Sequence, residues 1–225
     1  DTEVDPQMLT KLVEVAESDS QIGMVGPTMH YADPPTMIWG GDNWIDWRRA
    51  RMIRNRMGEL ISESALAHQK PQEVDYVDTC AILVKREVVE KIGLMNGDYF
   101  INFDDLDWNV RGRKADYKIV YVPPARMWHK VSATMGFASP ATTHYMTRNA
   151  LLFFWTHAPG IWKVLATLQI ILRTVRTIGA WTFKPQYRTE AFRRKRDANL
   201  LALRDFFLGR FGKMGPDVAR VCYGG

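Results

Sequence analysis

The sequence predicts an α/β domain followed by a helical tail. Two observations carry that prediction. Up to about residue 135, short apolar runs bounded by Gly and Pro alternate with stretches of helical period; from Thr142 onward every periodic stretch is helical. The charge changes sign near the same place. Residues 1–125 hold 14 Lys or Arg against 21 Asp or Glu, a net −7, and residues 126–225 hold 16 against 4, a net +12. The front is acidic enough to hold a metal, and the back is basic enough to face phosphates, anionic lipid or nucleic acid. Residues 1–135 and 136–225 are therefore expected as the two parts. A composition of 46% hydrophobic and 24% charged residues excludes wholesale disorder.

Asp5-Pro6 reads as a helix cap followed by Pro at the first helical position. Leu9, Leu12, Val13 and Ala16 then share one face, which predicts a helix to about Glu17. Gln21–Val25 is a buried strand ended by Gly26-Pro27, and Met37–Gly41 and Asn43–Trp47 are strand pieces about a Gly-Gly turn. Residues 48–72 open on the basic run RRARMIRNR and read as a solvated loop. Val74–Lys85 is the most strand-like run in the chain, with a short helix at Glu87–Ile92 after it. Asp104–Lys114 is a further helix, Lys118–Val122 a strand closed by Pro123-Pro124, and Met127–His129 resumes extended structure. The tail breaks near Pro159-Gly160 and Pro185. Cys80 and Cys222 are too few for a disulfide framework and lack metal-ligand spacing, so a reducing compartment fits. The chain opens on Asp1 rather than Met, with no signal segment, so an upstream part of the protein is expected.

The sharpest local feature is Phe103-Asp104-Asp105-Leu106-Asp107-Trp108. Carboxylates this close repel one another, and a helix N-terminus offsets the repulsion with free N–H groups and its dipole. One reading is an acidic helix start in which Asp107 pairs with Arg111 one turn on. The other is a metal or general-base site, where one carboxylate takes a proton from a hydroxyl nucleophile. His129, at a strand end downstream, is either a packed histidine or a third point of such a site.

In order and spacing, CAILVKREVVEKIG, YFINFDDLDWNVRGR and VYVPPARMWH resemble the C-terminal half of a family-two glycosyltransferase of GT-A (Rossmann-like) fold, in particular galactofuranosyl- and rhamnosyl-transferase-like members. DTEVDPQMLTKLVE resembles the segment that opens on the last Asp of that family's D-x-D-type metal motif. YMTRNALLFF and ALRDFFLGRFGK resemble its Arg-Asn helix and its closing helix. Thr79 stands where the family often has Gly, Asn96-Gly97 where it often has Asp-Glu, and Asp104-Asp105 where many members have Glu-Asp.

The resemblance implies an inverting transfer from a nucleotide-sugar donor to a glycan or lipid-linked acceptor, in cell-surface polysaccharide synthesis. Asp105 would be the base, and Asp104 would orient it or the acceptor. Asp1 and His129 would be ligands to a divalent metal, Mg²⁺ or Mn²⁺, which neutralises the leaving diphosphate. Trp39, Trp44 and Trp47 fall where the family has an acceptor-side loop. Trp108 and Trp128 would stack on sugar faces or pack in the core, and Arg148 would reach the diphosphate or lie on the surface. The family's nucleotide-binding strands precede the position of Asp1, so this stretch alone is expected to be inactive.

Ile161–Phe183 is strongly apolar but interrupted by Lys163, Arg173 and Arg176. The arginines argue against a spanning helix. Two readings remain: an amphipathic helix lying in a membrane interface, or one packed on the α/β part. RRKR at 193–196 adds attraction to anionic lipid, so a peripheral place at the cytoplasmic membrane surface is expected. A nucleic-acid partner is not expected: the basic residues are interleaved with long aliphatic runs, and no binding motif is present. A metal-dependent phosphoesterase would need more His or Asp ligands than are visible.

Overall fold

The computed structural model describes residues 2–130 and 139–224. The chain divides into two compact units: Asp1–Asp46 with Arg51–Met95 and Asp105–Val131, and Trp47–Ala50 with Asn96–Asp104 and Ser132–Gly225.

The first unit is built on β1 (Thr2–Val4), α1 (Met8–Glu17), β2 (Ile22–Tyr31), β3 (Ile38–Gly40), β4 (Asn43–Asp46) and β5 (Arg51–Arg54). It continues through α2 (Glu63–Ala67), β6 (Gln72–Glu73), β7 (Leu83–Val84), α3 (Arg86–Ile92), α4 (Asp104–Lys114) and β8 (Lys118–His129). A six-stranded mixed sheet runs β1-β8-β2-β3, with β6 also on β8 and β7 on β2. The parallel pair β2–β8 is its axis, and both strands are buried almost throughout, as parallel strands covered on both faces must be. Leu12 and Ala16 of α1 pack with Ile22, Val25, Val120 and Val122. A second cluster joins Met24 and Ile119 to Val74, Val77 and Val88.

Four expectations fail here for physical reasons. The strand predicted to end at Gly26-Pro27 continues to Tyr31. A Cβ on Gly26 would lie 2.6 Å from Val77, so the glycine permits close approach rather than a turn. Likewise Pro123-Pro124 do not close β8. They fall between Val122 and Arg126, which pair with the consecutive Pro27 and Thr28, so the prolines sit in a bulge where no ladder N–H is needed.

Val74–Lys85 is not one strand. Its backbone is held by side chains instead: the Val77 N–H donates to Asn109 Oδ1 at 3.1 Å, and Asn109 Nδ2 donates to the Val77 carbonyl at 3.0 Å. A 3₁₀ turn at Thr79–Ala81 then breaks the run. Finally, the predicted loop 48–72 contains β5, paired antiparallel with β4, and the helix α2.

The second unit is helical: α5 (Pro140–His157), α6 (Trp162–Phe183), α7 (Glu190–Phe207) and α8 (Pro216–Tyr223). Ser139 caps α5 by accepting from the Thr142 N–H, and Thr189 caps α7 by accepting from Phe192. α5 is the central helix and touches the other three. It buries polar side chains as well as apolar ones, among them His144, Arg148 and Asn149. The helix breaks fall at Pro159-Gly160 and Pro185, as expected.

Candidate active site

α4 begins at Asp104 and ends at Lys114, the limits read from the sequence. The approach to it is strained. Phe100, Asn102 and Phe103 have φ of 63°, 64° and 69°, a left-handed conformation that side chains rarely adopt and bulky aromatics least of all. In the helical unit this loop is tied down by α5. Asn149 Nδ2 lies 2.8, 2.8 and 2.9 Å from the carbonyls of Tyr99, Ile101 and Asn102. Arg148 Nη2 lies 3.2 and 3.3 Å from those of Asp98 and Tyr99. Asp104 and Asp105 follow directly, both half-buried in the first turn of α4. Asp105 Oδ1 accepts from the Leu106 N–H at 2.9 Å. Asp107 takes the structural part expected of it, with Arg111 Nε at 2.8 Å.

In the first unit, Asp105 lies within electrostatic reach of Arg54, Tyr76 and Cys80. Arg54 donates to Asp78 Oδ1 at 2.5 Å, and its guanidinium lies over the Trp39 ring, 4.0 Å from the centroid. Asn43 Nδ2 donates to the other Asp78 oxygen at 2.9 Å. Trp39 in turn meets the His129 ring edge-on at 5.0 Å. A connected set thus runs from His129 through Trp39 and Arg54 to Asp78, and Asp105 reaches it electrostatically at Arg54.

The electrostatics follow from burial. Loss of water pushes the Asp78 carboxyl up, against the pull of Arg54 and of the Asn43 amide. Arg54 is itself desolvated, but Asp78 and Tyr76 hold its pKa above the ordinary value. Burial lowers the His129 imidazole, with Asp78 opposing. Burial also drives the Cys80 thiol up to about 12, which removes it as a thiolate nucleophile.

The other expected residues divide. Trp39 belongs to the set, while Trp44 is 39% exposed on β4 and donates to Asp42 Oδ1 at 2.5 Å. Trp108, partly buried, packs on the second core cluster, and its indole donates to the Gly93 carbonyl at 2.9 Å. Trp128 adjoins His129 in β8 and so points to the opposite face of the sheet. It stacks on His30 and lines a separate cavity of about 480 Å³ with Glu3 and Lys130. Trp47 stacks on Phe153 inside the helical unit.

Arg148 departs most from expectation. It is 1% exposed and spends its guanidinium on backbone carbonyls, so it is neither a diphosphate contact nor a surface residue. Asp1 lies outside the described residues; Thr2, beside it in sequence, pairs with His129 across β1–β8. Among the described residues no group of three or more His, Cys, Asp or Glu side chains is arranged to hold a metal. His129 is the one member of the expected ligand pair that lies among the described residues. Sequence reasoning missed Arg54 and Asp78. The alternation Arg51-Met52-Ile53-Arg54, following Asn43-Trp44-Ile45-Asp46, is a hairpin signal that the basic run concealed.

Residues 1–150 match the family model described as glycosyltransferase like family 2. The chain belongs to that family. Among curated relatives, a 99-residue stretch is 29% identical to the galactofuranosyltransferase GlfT2 of Mycobacterium tuberculosis, covering 44% of this chain and 15% of that protein. A 128-residue stretch is 23% identical to the dTDP-rhamnosyl transferase RfbF of Shigella flexneri, covering 53% of this chain and 43% of that one. The chain thus spans less than half the length of either glycosyltransferase. A crystal structure of GalNAc-T7 with UDP, GalNAc and Mn²⁺ aligns at a TM-score of 0.48 and 16% identity, over 92% of this chain and 39% of that one.

Proposed function

We propose that this family-2 chain forms the acceptor-side half of an inverting transferase that moves a sugar from a nucleotide-sugar donor to a glycan or lipid-linked acceptor in cell-surface polysaccharide synthesis. The observation that carries the reading is the pair Asp104-Asp105. The pair stands in the first turn of α4, directly after a strained loop, and Asp105 lies within electrostatic reach of Arg54, the residue that joins Asp78 to Trp39.

In the reaction, the acceptor hydroxyl oxygen bonds to the anomeric carbon while the bond from that carbon to the diphosphate oxygen breaks. The bonding pair leaves with the nucleoside diphosphate. Asp105 takes the hydroxyl proton as attack proceeds, a contribution of roughly 10²- to 10⁴-fold. Asp104 orients the acceptor or Asp105, and Trp39 offers an aromatic face beside His129. His129, with Asp1, would hold a divalent cation, Mg²⁺ or Mn²⁺. Such an ion, when bound, offsets the negative charge that gathers on the leaving diphosphate.

Product stereochemistry tests the inverting reading. Proton NMR of the glycoside made by the complete enzyme should show an anomeric configuration opposite to the donor's. Retention of configuration refutes it.

A further inference from the structure

Helix α6 is amphipathic the wrong way round for a helix in water. Its inward face carries Ala166, Thr167, Ile170 and Thr174, all buried. Its outward face carries Val164, Leu165, Leu168, Leu172, Val175 and Phe183, each between 37% and 77% exposed. These residues recur at helical spacing, so they form one stripe along a 22-residue helix, about 33 Å at 1.5 Å per residue. An apolar stripe of that length is a contact surface rather than scattered exposure. Among the described residues no helix is long and apolar enough to cross a membrane.

Charge identifies what the stripe meets. Between Ala158 and Thr189 the chain has no Asp or Glu and five Lys or Arg. Arg176 is exposed beside the stripe, and Lys184 and Arg188 are exposed just beyond its end. At the other end Lys163 lies over the ring of Trp155, 5.6 Å from the centroid, and that indole is 47% exposed. Basic side chains and an exposed indole around an apolar strip match the layering of a bilayer surface, with acyl chains inside and anionic headgroups outside. A symmetric pairing of two copies through this face would instead bring like charges together. Arg173 does not join Arg176 there: its Nη2 donates to the Ala50 carbonyl at 2.9 Å within the helical unit.

We propose that α6 is a membrane-docking helix, lying along an anionic lipid surface with the Val164–Phe183 stripe in the acyl boundary and Arg176 and Lys184 on headgroups. At the cytoplasmic face of the cell membrane this keeps the chain where a lipid-linked acceptor is met. The inference does not depend on the transfer chemistry.

Co-sedimentation of the full chain tests it, with vesicles of phosphatidylcholine alone and of equimolar phosphatidylcholine and phosphatidylglycerol. The chain should pellet with the anionic vesicles at about 0.05 M salt, and much less at about 0.5 M, where exposed charges are screened within a few ångströms. Arg176→Gln with Lys184→Gln should weaken binding about 25-fold, roughly fivefold per charge. Leu168→Glu with Leu172→Glu should weaken it at least as much. All four positions sit on the outer side, so circular dichroism should be unchanged. No pelleting at low salt overturns the proposal. So does a leucine variant that binds like wild type, which leaves only unspecific charge attraction. A dimer by light scattering that the leucine variant makes monomeric, with vesicle affinity unchanged, also overturns it, because a second copy then covers the stripe.

Discussion

Asn149→Ala probes the device that delivers the acidic pair. The Asn149 side chain is fully buried, and its amide faces three carbonyls of the loop before α4. Two amide hydrogens serve three acceptors, so the substitution removes two full hydrogen bonds, about 2 kcal/mol net at ~1 kcal/mol each. The carbonyls left behind have lost their donor in a dry environment, which adds about 1 kcal/mol or more. Arg148 Nε also loses its partner, Asn149 Oδ1 at 3.0 Å. Against this, release of left-handed strain at Phe100, Asn102 and Phe103 returns some free energy, at about 1–3 kcal/mol per residue if it were complete. The covalent frame and the buried Phe103 allow only part of it. A net loss of about 2 kcal/mol is expected for the helical unit, with turnover falling because Asp104 and Asp105 follow that loop directly. Urea unfolding followed by circular dichroism measures the first, and steady-state kinetics of the complete enzyme the second. A loss under about 0.5 kcal/mol at an unchanged m-value refutes the reasoning, because the loop then keeps its conformation without Asn149.

Arg54→Met leaves Asp78, whose side chain is 5% exposed, buried without its cation. A stability loss of about 3 kcal/mol is expected by thermal or chemical unfolding, and wild-type stability would show that the pair is not desolvated. His144 is fully buried, and burial with the nearby Arg148 charge lowers its pKa to about 4 from the ordinary 6.5. The unfolded chain therefore takes up this proton first as pH falls. Stability is lost between about pH 6.5 and 4, by up to about 3 kcal/mol, and is unaffected above that window. His144→Leu should flatten that stretch of a stability–pH curve, and an unchanged slope would assign it to other groups. Gly41 has φ +143°, and a Cβ there would lie 2.5 Å from the Tyr121 ring, so Gly41→Ala should lower the melting temperature by several degrees; a melting temperature within a degree of wild type counts against it.

What the sequence made legible was local. The limits of α4 follow from acids at its start and bases in its last turn, and the tail's breaks follow from Pro159-Gly160 and Pro185. What it hid depends on partners distant in the chain. Val74–Lys85 has strand composition, yet Asn109 satisfies the backbone at Val77. Arg54 and Asp78 are 24 residues apart and meet only once β5 pairs with β4. Arg148 and His144 are polar residues on the inner side of a central helix, where the rule that polar side chains face water fails because backbone carbonyls and Asp205 lie inside with them. Even α6 follows this pattern: its apolar period was plain from the sequence, but the side it faced was not.

We propose Asp105 as the proton acceptor of a sugar transfer. The most direct measurement is acceptor-dependent release of nucleoside diphosphate by the complete enzyme, wild type and Asp105→Asn, across a panel of UDP- and dTDP-linked sugars. The amide keeps the size and polarity of the side chain and loses only its capacity to take a proton. Turnover of at least one donor is expected from wild type, with a fall of about 10²-fold or more in Asp105→Asn and donor affinity largely unchanged. A variant that keeps more than about a tenth of wild-type turnover contradicts it, given the usual effect of removing such a base.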